Sequence, residues 1–280
     1  LNLAMMKDVP LSDHETWLKF IYQLQPEDLP NATAESFQSP AVGDLSPAFA
    51  VGDGCDSVGG TYPLTVEFNG EQVNPVTTRY CSNVILAGTF NADLYAGRGT
   101  MMGEDGMWSG YMINYNLGND LHRTPFGGRN QQYYSEDSNY GYMVGAVEAA
   151  AMQANGVNYC VKHFAMNDQE SGRESLSTFA NEQTVRETYL RAFEGAFVEG
   201  GAQSVMTAFN RIGVVYAAVN VPLLKNVLRG EWGFKGHITT DGFAKTSTYK
   251  THYMEMITAG VDFVCLDPGE TAAAVTAAID

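Results

Sequence analysis

The sequence predicts an α/β fold and, among α/β folds, favours a (β/α)8 TIM-like barrel. Short apolar runs alternate with longer helical patterns along the chain, which is typical of parallel strands joined by crossover helices. Polar residues follow the carboxyl ends of several predicted strands, and barrel enzymes carry their chemistry on this face. No GxGxxG motif follows a predicted strand and no GxxxxGK(S/T) motif occurs, so the phosphate-binding signatures of doubly wound sheets are absent from the sequence.

The length suits one barrel preceded by a short lead-in. The chain has 280 residues, 45% of them hydrophobic, and a barrel of this kind needs roughly 250. We assign residues 46–280 to the barrel and residues 1–45 to a lead-in helix and connector. Ser12 and Asp13 are the predicted caps of the lead-in helix, whose apolar positions begin at Trp17. Residues 26–45 lack a period and are interpreted as an irregular connection.

The predicted barrel strands are short, and the first is irregular and ends at a Gly-Asp53-Gly turn. The predicted strands cover residues 47–51, 84–86, 113–117, 157–161, 203–209, 237–240 and 261–266. The predicted helices cover residues 91–102, 141–154, 181–199, 222–231 and an alanine-rich stretch that ends the chain. The polar residues expected at strand ends are Asp53, Lys162, His163, Asn210, Asp241 and Asp267.

Charge and motif content exclude several classes of function. The formal net charge is −16, from 16 basic and 32 acidic residues, which disfavours a nucleic-acid partner. No apolar run approaches the length of about 18 residues that a membrane span requires. The five histidines form no HxH or HxxxH pair, so no metal site is predicted, and no GxSxG motif indicates an esterase. We predict no metal and no organic cofactor.

Asp241 is the first candidate for chemistry. It ends the run GHITTD and precedes Gly242, which favours a carboxylate at the barrel mouth. The alternative is a cap for a following helix. Asp53 has glycine on both sides, which suits close approach by a ligand and equally suits an ordinary turn.

The cationic candidates also have structural alternatives. Lys162 and His163 together can bind vicinal hydroxyls or a phosphate, or they can be a buried lysine paired with a carboxylate and a core histidine. Arg129 follows two glycines that allow the loop to aim its planar donor group inward. The alternative for Arg129 is a loop salt bridge with Glu136 or Asp137.

The order and spacing of these residues carry a resemblance to a known family. The run contains GGRNQQYYSED around Arg129, VKHFAMNDQE around Lys162 and His163, VMTAFN around Met206 and Phe209, and then LLKNVLRGEWGFKG before Asp241. It resembles the barrel domain of family 3 glycoside hydrolases, over about residues 48–280.

This resemblance implies a retaining β-glucosidase that releases terminal non-reducing β-D-glucosyl residues from oligosaccharides or glycosides. Asp241 matches the catalytic nucleophile of the family. The residues that match its sugar-binding subsite are Asp53, Arg129, Lys162 and His163, with Met206 and Phe209 lining it. The family requires no cofactor.

The sequence departs from the family pattern at three places. Gly242 stands where a tryptophan usually follows the nucleophile, and the Asp53 motif continues with Gly54-Cys55 in place of Gly-Pro. The acid/base glutamate of the family usually lies in a separate α/β sandwich domain, so we expect this residue outside the present segment. The lead-in resembles a connector from a sandwich domain that precedes the barrel, which predicts a permuted domain order.

Other functions remain as alternatives. The departures at Gly242 and next to Asp53 motivate a non-catalytic sugar-binding barrel. Glucose is the default sugar, and a β-xylosidase or other exo-glycosidase of the same family remains open. A lyase or aldolase using Lys162 as a Schiff-base amine is a third reading. If the chain alone were active, Glu136, Glu170 and Glu174 would be the acid/base candidates.

Overall fold

A mainly parallel sheet forms the centre of the structure, a computed structural model that describes residues 1–29, 32, 38–39, 41–43, 45, 47, 49–54, 56–59, 65–242 and 252–265. Its strands are β1 (Gln38–Ser39), β2 (Phe49–Gly52), β3 (Val66–Phe68), β4 (Glu71–Val73), β5 (Tyr111–Gly118), β6 (Asn158–Phe164), β7 (Ser177–Thr178), β8 (Ser204–Thr207), β9 (Arg211–Ile212), β10 (Val215–Tyr216) and β11 (His237–Thr240). Six of these strands form the central sheet in the order β1-β2-β5-β6-β8-β11. Only the β1–β2 pairing in this sheet is antiparallel.

Helices lie before, between and after the parallel strands. They are α1 (Leu3–Met6), α2 (His14–Ile21), α3 (Asn83–Ala87), α4 (Ala92–Ser109), α5 (Ser138–Gln153), α6 (Glu182–Thr184), α7 (Arg191–Val198) and α8 (Tyr253–Ala259). Two further helices are π-helical, Val185–Leu190 between α6 and α7, and Pro222–Glu231. Helix α5 packs against α4 and α7. Gly99 allows the first of these contacts, because a Cβ there would lie 2.6 Å from the Glu148 carbonyl oxygen.

The alternation predicted from the sequence is confirmed from β5 to β11. Each parallel strand is followed by a helix before the next strand of the sheet, as in a (β/α) barrel. Thr239 of β11 also forms a parallel bridge with Phe263, in the predicted strand at 261–266. The fold is therefore of the predicted barrel class, although the strands in the described part of the chain do not close into a ring.

The lead-in helix is confirmed as α2. Asp13 is its N-cap, and Asp13 Oδ1 accepts a hydrogen bond from the Thr16 backbone N–H at 3.1 Å. The predicted strand at 84–86 is wrong, because these residues belong to α3. Leu86 and Ala87 are buried whereas Ile85 is 62% exposed, which is a helical pattern of burial. A three-residue apolar run cannot show this period in the sequence.

Two strands end at residues other than those predicted. Strand β6 continues to Phe164, so Lys162 and His163 lie inside a strand rather than after it. Strand β8 ends at Thr207, and Asn210 therefore lies in the turn beyond it. Asp267 and the predicted C-terminal helix lie outside the described residues.

Two hydrophobic clusters pack against the sheet. The large cluster fills the space between the sheet and the helices. The small one joins residues of four neighbouring strands, namely Val51, Ile113, Tyr115, Cys160 and Met206. Tyr115 and Met206 also line the cavity described next, so the small cluster supports that cavity from below.

Candidate active site

A cavity of about 220 Å³ lies where the parallel strands end. Its described lining residues are Asp53, Tyr115, Arg129, Lys162, His163, Arg173, Met206, Asp241, Gly242 and Cys265. These residues come from β5, β6 and β8, from the residues that follow β2, β6 and β11, from the loop that carries Arg129, and from the segment beyond α8 that contains Cys265. The structure therefore brings together six of the seven site residues predicted from the sequence.

Asp241 stands at the cavity wall just past β11. Its side chain keeps 16% exposure. The Gly242 backbone N–H donates to Asp241 Oδ1 at 2.8 Å, and Arg173 Nη1 donates to Oδ2 at 3.3 Å. Residues 243–251, where a helix capped by Asp241 would begin, lie outside the described part of the chain.

Opposing effects act on the Asp241 carboxyl. Burial raises its pKa above the usual range, and the positive charges of Arg173, Arg129 and Lys162 oppose that rise. The sequence offered Arg129 and Lys162 as cationic site candidates but did not suggest Arg173. Three cations around one buried carboxylate favour its ionised form, which is the form that a nucleophile requires.

Lys162 and Asp53 form an ion pair across the cavity. Lys162 Nζ lies 3.0 Å from Asp53 Oδ1, and the lysine side chain is only 4% exposed whereas that of Asp53 is 32% exposed. Lys162 is therefore both a buried lysine held by a carboxylate, as the structural alternative predicted, and a residue of the cavity wall. Asp53 has a second oxygen that can accept a hydrogen bond from a ligand hydroxyl.

His163 lies between Tyr133 and Arg129. The Tyr133 hydroxyl is 2.9 Å from Nδ1, and Arg129 Nη1 is 3.3 Å from Nε2. Burial lowers the pKa of His163 well below its usual value, and Arg129, Lys162 and Arg173 add to this effect, so the ring is neutral. Because a guanidinium can only donate, Nε2 accepts from Arg129, and the ring proton lies on Nδ1 and is donated to Tyr133.

Arg129 is held by a partner that the sequence did not suggest. Its Nε and Nη2 donate to Glu170 Oε2 and Oε1 at 2.6 and 2.8 Å, and Nη1 donates to Gln132 Oε1 at 2.8 Å. The predicted alternative, a salt bridge with Glu136 or Asp137, is wrong. Asp137 instead caps α5, because its carboxylate accepts from the Tyr140 N–H. Gly128 directs the loop with a φ of 89°, a left-handed conformation that glycine adopts readily.

Arg173 was not among the site residues predicted from the sequence, and Phe209 was predicted to line the site. Arg173 lines the cavity and its guanidinium lies 4.5 Å above the centre of the Phe209 ring. Phe209 is therefore buried behind Arg173 and is not among the described lining residues, whereas Met206 is. Arg173 follows Glu170 closely in the chain, but this spacing alone does not show that either residue reaches the site.

The described residues contain neither a metal cluster nor a membrane-spanning helix. No group of three or more His, Cys, Asp or Glu side chains among them is placed to hold a metal ion. Likewise, no described helix combines the length and apolar character needed to cross a bilayer.

Comparison with known proteins connects this geometry to a family. Residues 63–280 match the profile of the glycosyl hydrolase family 3 N terminal domain. The chain belongs to glycosyl hydrolase family 3. This membership confirms the resemblance seen in the sequence.

Named relatives and solved structures agree with this assignment. The chain is 34% identical to a probable beta-glucosidase L of Emericella nidulans over 207 residues, which are 72% of this chain and 27% of that protein. It is 33% identical to a beta-glucosidase of Rhizobium radiobacter over 179 residues, 64% of this chain and 21% of that one. Beta-glucosidase 3B from Thermotoga neapolitana in complex with glycerol superposes with a TM-score of 0.77 and 30% identity, covering 88% of this chain and 36% of that structure. The chain thus spans about a quarter of the length of these two curated relatives.

Proposed function

We propose that the polypeptide containing this chain hydrolyses terminal β-D-glucosyl residues by a retaining double displacement, with Asp241 as the nucleophile. The support is the position of Asp241 in a cavity beside Arg129, Arg173, Lys162 and the neutral His163. The solved relatives include beta-glucosidase 3B from Thermotoga neapolitana in complex with glucose.

In the first displacement, the Asp241 carboxylate attacks the anomeric carbon and forms a glycosyl ester as the bond to the leaving oxygen breaks. The leaving oxygen takes a proton from a general acid. In the second step the same group, now a base, removes a proton from water, which attacks the anomeric carbon and releases Asp241.

The remaining cavity residues are proposed to hold the sugar. Lys162 and Arg129 donate hydrogen bonds to hydroxyls, whereas Asp53 accepts them. His163 lines the cavity and orients Arg129, because its single Nε2 lone pair accepts from that arginine. Because these partners are fixed before the sugar arrives, they can favour the distorted ring of the transition state at little reorganisation cost. Tyr115 and Met206 provide the apolar floor.

The general acid is proposed to lie outside these 280 residues. The described carboxyl groups of the cavity lining are Asp53 and Asp241, and Asp53 is paired with Lys162. Glu170 is also unsuitable: burial alone would raise its pKa, but the bonds and charges of Arg129 and Arg173 hold that pKa below its usual value. A general acid needs the opposite shift. We therefore propose an acid/base glutamate on an α/β sandwich domain, with residues 46–280 as the barrel domain and residues 1–45 as a lead-in.

Mechanism-based labelling tests the proposal. A 2-deoxy-2-fluoro-glucoside should trap the glycosyl ester on the Asp241 peptide of the full-length polypeptide, as read by mass spectrometry. Asp241→Ala should lose activity by roughly four orders of magnitude or more. Asp168→Asn is the control, because this partly buried carboxyl bonds Tyr189 and is not among the described lining residues. A label on another carboxylate, or activity retained in Asp241→Ala, contradicts the assignment.

One observation favours a second candidate, a sugar-binding barrel without catalysis. Gly242 leaves the position after Asp241 without a side chain. Calorimetry with glucose together with a turnover assay separates the two candidates, because a binding barrel takes up the sugar and hydrolyses no glucoside. The same assay with xylosides, arabinosides and galactosides decides the sugar.

A further inference from the structure

Glu170 lies behind the cavity wall and binds both arginines of the site. It is not among the described lining residues, yet its carboxylate takes two bonds from Arg129 and lies 3.2 Å from Arg173 Nη1. The Glu170 N–H also donates to the Gly127 carbonyl at 2.9 Å. A Cβ on Gly128 would lie 2.9 Å from the Glu170 Cβ, so the loop that carries Arg129 rests directly on Glu170.

One nitrogen of Arg173 is shared between two carboxylates. Arg173 Nη1 is 3.2 Å from Glu170 Oε1 and 3.3 Å from Asp241 Oδ2. The guanidinium is also stacked on Phe209. Its direction is therefore determined from three sides, and Glu170 limits how closely it can pair with Asp241.

The charges of this cluster balance among the described residues. Arg129, Arg173 and Lys162 contribute three positive charges, and Asp53, Asp241 and Glu170 contribute three negative ones. The side chain of Glu170 is 37% exposed, so it reaches solvent on its outer side. Neutralising it would leave one uncompensated positive charge facing Asp241.

We propose that Glu170 is a positioning residue, which aims Arg129 and Arg173 at the cavity and keeps their charge from over-stabilising the Asp241 carboxylate. This inference rests on the proposed function, in which Asp241 attacks the sugar. Glu170 itself does not touch the substrate. Its removal should therefore change both the geometry and the ionisation of the site.

Glu170→Gln in the full-length polypeptide tests the inference through kinetics. Since both arginines lose their anchor, kcat should fall by about 10- to 100-fold. The acid limb of kcat/KM should move to lower pH, because the extra positive charge favours ionised Asp241. The matched control is Glu194→Gln on α7, which removes a carboxylate paired with Arg191 and is not among the described lining residues, and it should leave both quantities unchanged. A merely structural role for Glu170 would lower thermal stability without moving the acid limb.

A crystal structure of the Glu170→Gln full-length variant gives a readout that does not depend on activity. Arg129 should turn away from His163, and Arg173 should approach Asp241 more closely than 3.3 Å. Arginines that keep their wild-type positions, or an acid limb that stays in place or moves to higher pH, overturn the inference. If the wild-type polypeptide hydrolyses no glucoside, the proposed function fails, and the arginine positions still decide whether Glu170 holds them.

Discussion

Replacing Arg98 by methionine is expected to lower the free energy of unfolding by about 4 kcal/mol. Arg98 of α4 is 2% exposed, and its partner Glu148 of α5 is fully buried. Arg98 Nε and Nη2 donate to the two Glu148 oxygens at 2.6 and 2.9 Å. Its other bonds go to the Asn83 amide oxygen and the Cys81 carbonyl, at 2.7 and 2.8 Å.

The expected loss of unfolding free energy follows from the buried carboxylate that Arg98→Met leaves without its main partner. Methionine fills much of the arginine volume, but Glu148 then remains buried with one described donor, the Tyr134 hydroxyl at 2.6 Å. An uncompensated buried carboxylate costs several kcal/mol, and about 4 kcal/mol is nearly a thousandfold change in the unfolding equilibrium. The double variant Arg98→Met with Glu148→Met removes both charges and should recover a large part of the loss.

Urea unfolding measures these differences, with a surface pair as control. Arg186 and Glu231 also form a two-bond contact, at 2.7 and 3.1 Å, but both side chains are over 40% exposed. Arg186→Met should therefore cost far less than Arg98→Met, because water screens the exposed pair. Equal losses for the two substitutions, or no recovery in the double variant, would refute the reasoning from burial.

Two further predictions concern single groups near the site. Burial, with the charge of Asp168 added, raises the pKa of Asp120 from 3.8 to about 7. Between these values the folded state keeps a proton that the unfolded chain has lost, so stability falls as pH rises. Asp120→Asn should flatten this fall when urea midpoints at about pH 5 and about pH 8 are compared. A pH slope of stability that is unchanged in Asp120→Asn would contradict the raised pKa. At Gly242, an added Cβ would meet Cys265 Sγ at 3.0 Å, so Gly242→Trp should lower the thermal midpoint by overpacking and Cys265→Gly should partly restore it. A Gly242→Trp variant as stable as the wild type would contradict that contact.

Much of the candidate site is readable in the sequence because barrel strands bring their carboxyl ends together. Asp241 ends one apolar run and Lys162 and His163 close another, so these positions could be named before any packing was known, whereas Met206 was named only through the family resemblance. The family resemblance added the roles proposed for these residues. The order of parallel strands and helices was predictable for the same reason, since hydrophobic periodicity is a local property of the chain.

Tertiary structure alone decided which charges meet. The partner of Arg129 is Glu170, 41 residues away in the chain, and not the nearer Glu136 or Asp137. Arg173 reaches Asp241 across 68 residues, and Phe209 lies behind it. Ion pairs of this kind depend on loop paths and on the burial of each group, and neither is encoded in a local pattern. The sequence by itself thus determined which strands carry polar ends, whereas packing determined which charged groups surround Asp241, how they are ionised and where they point.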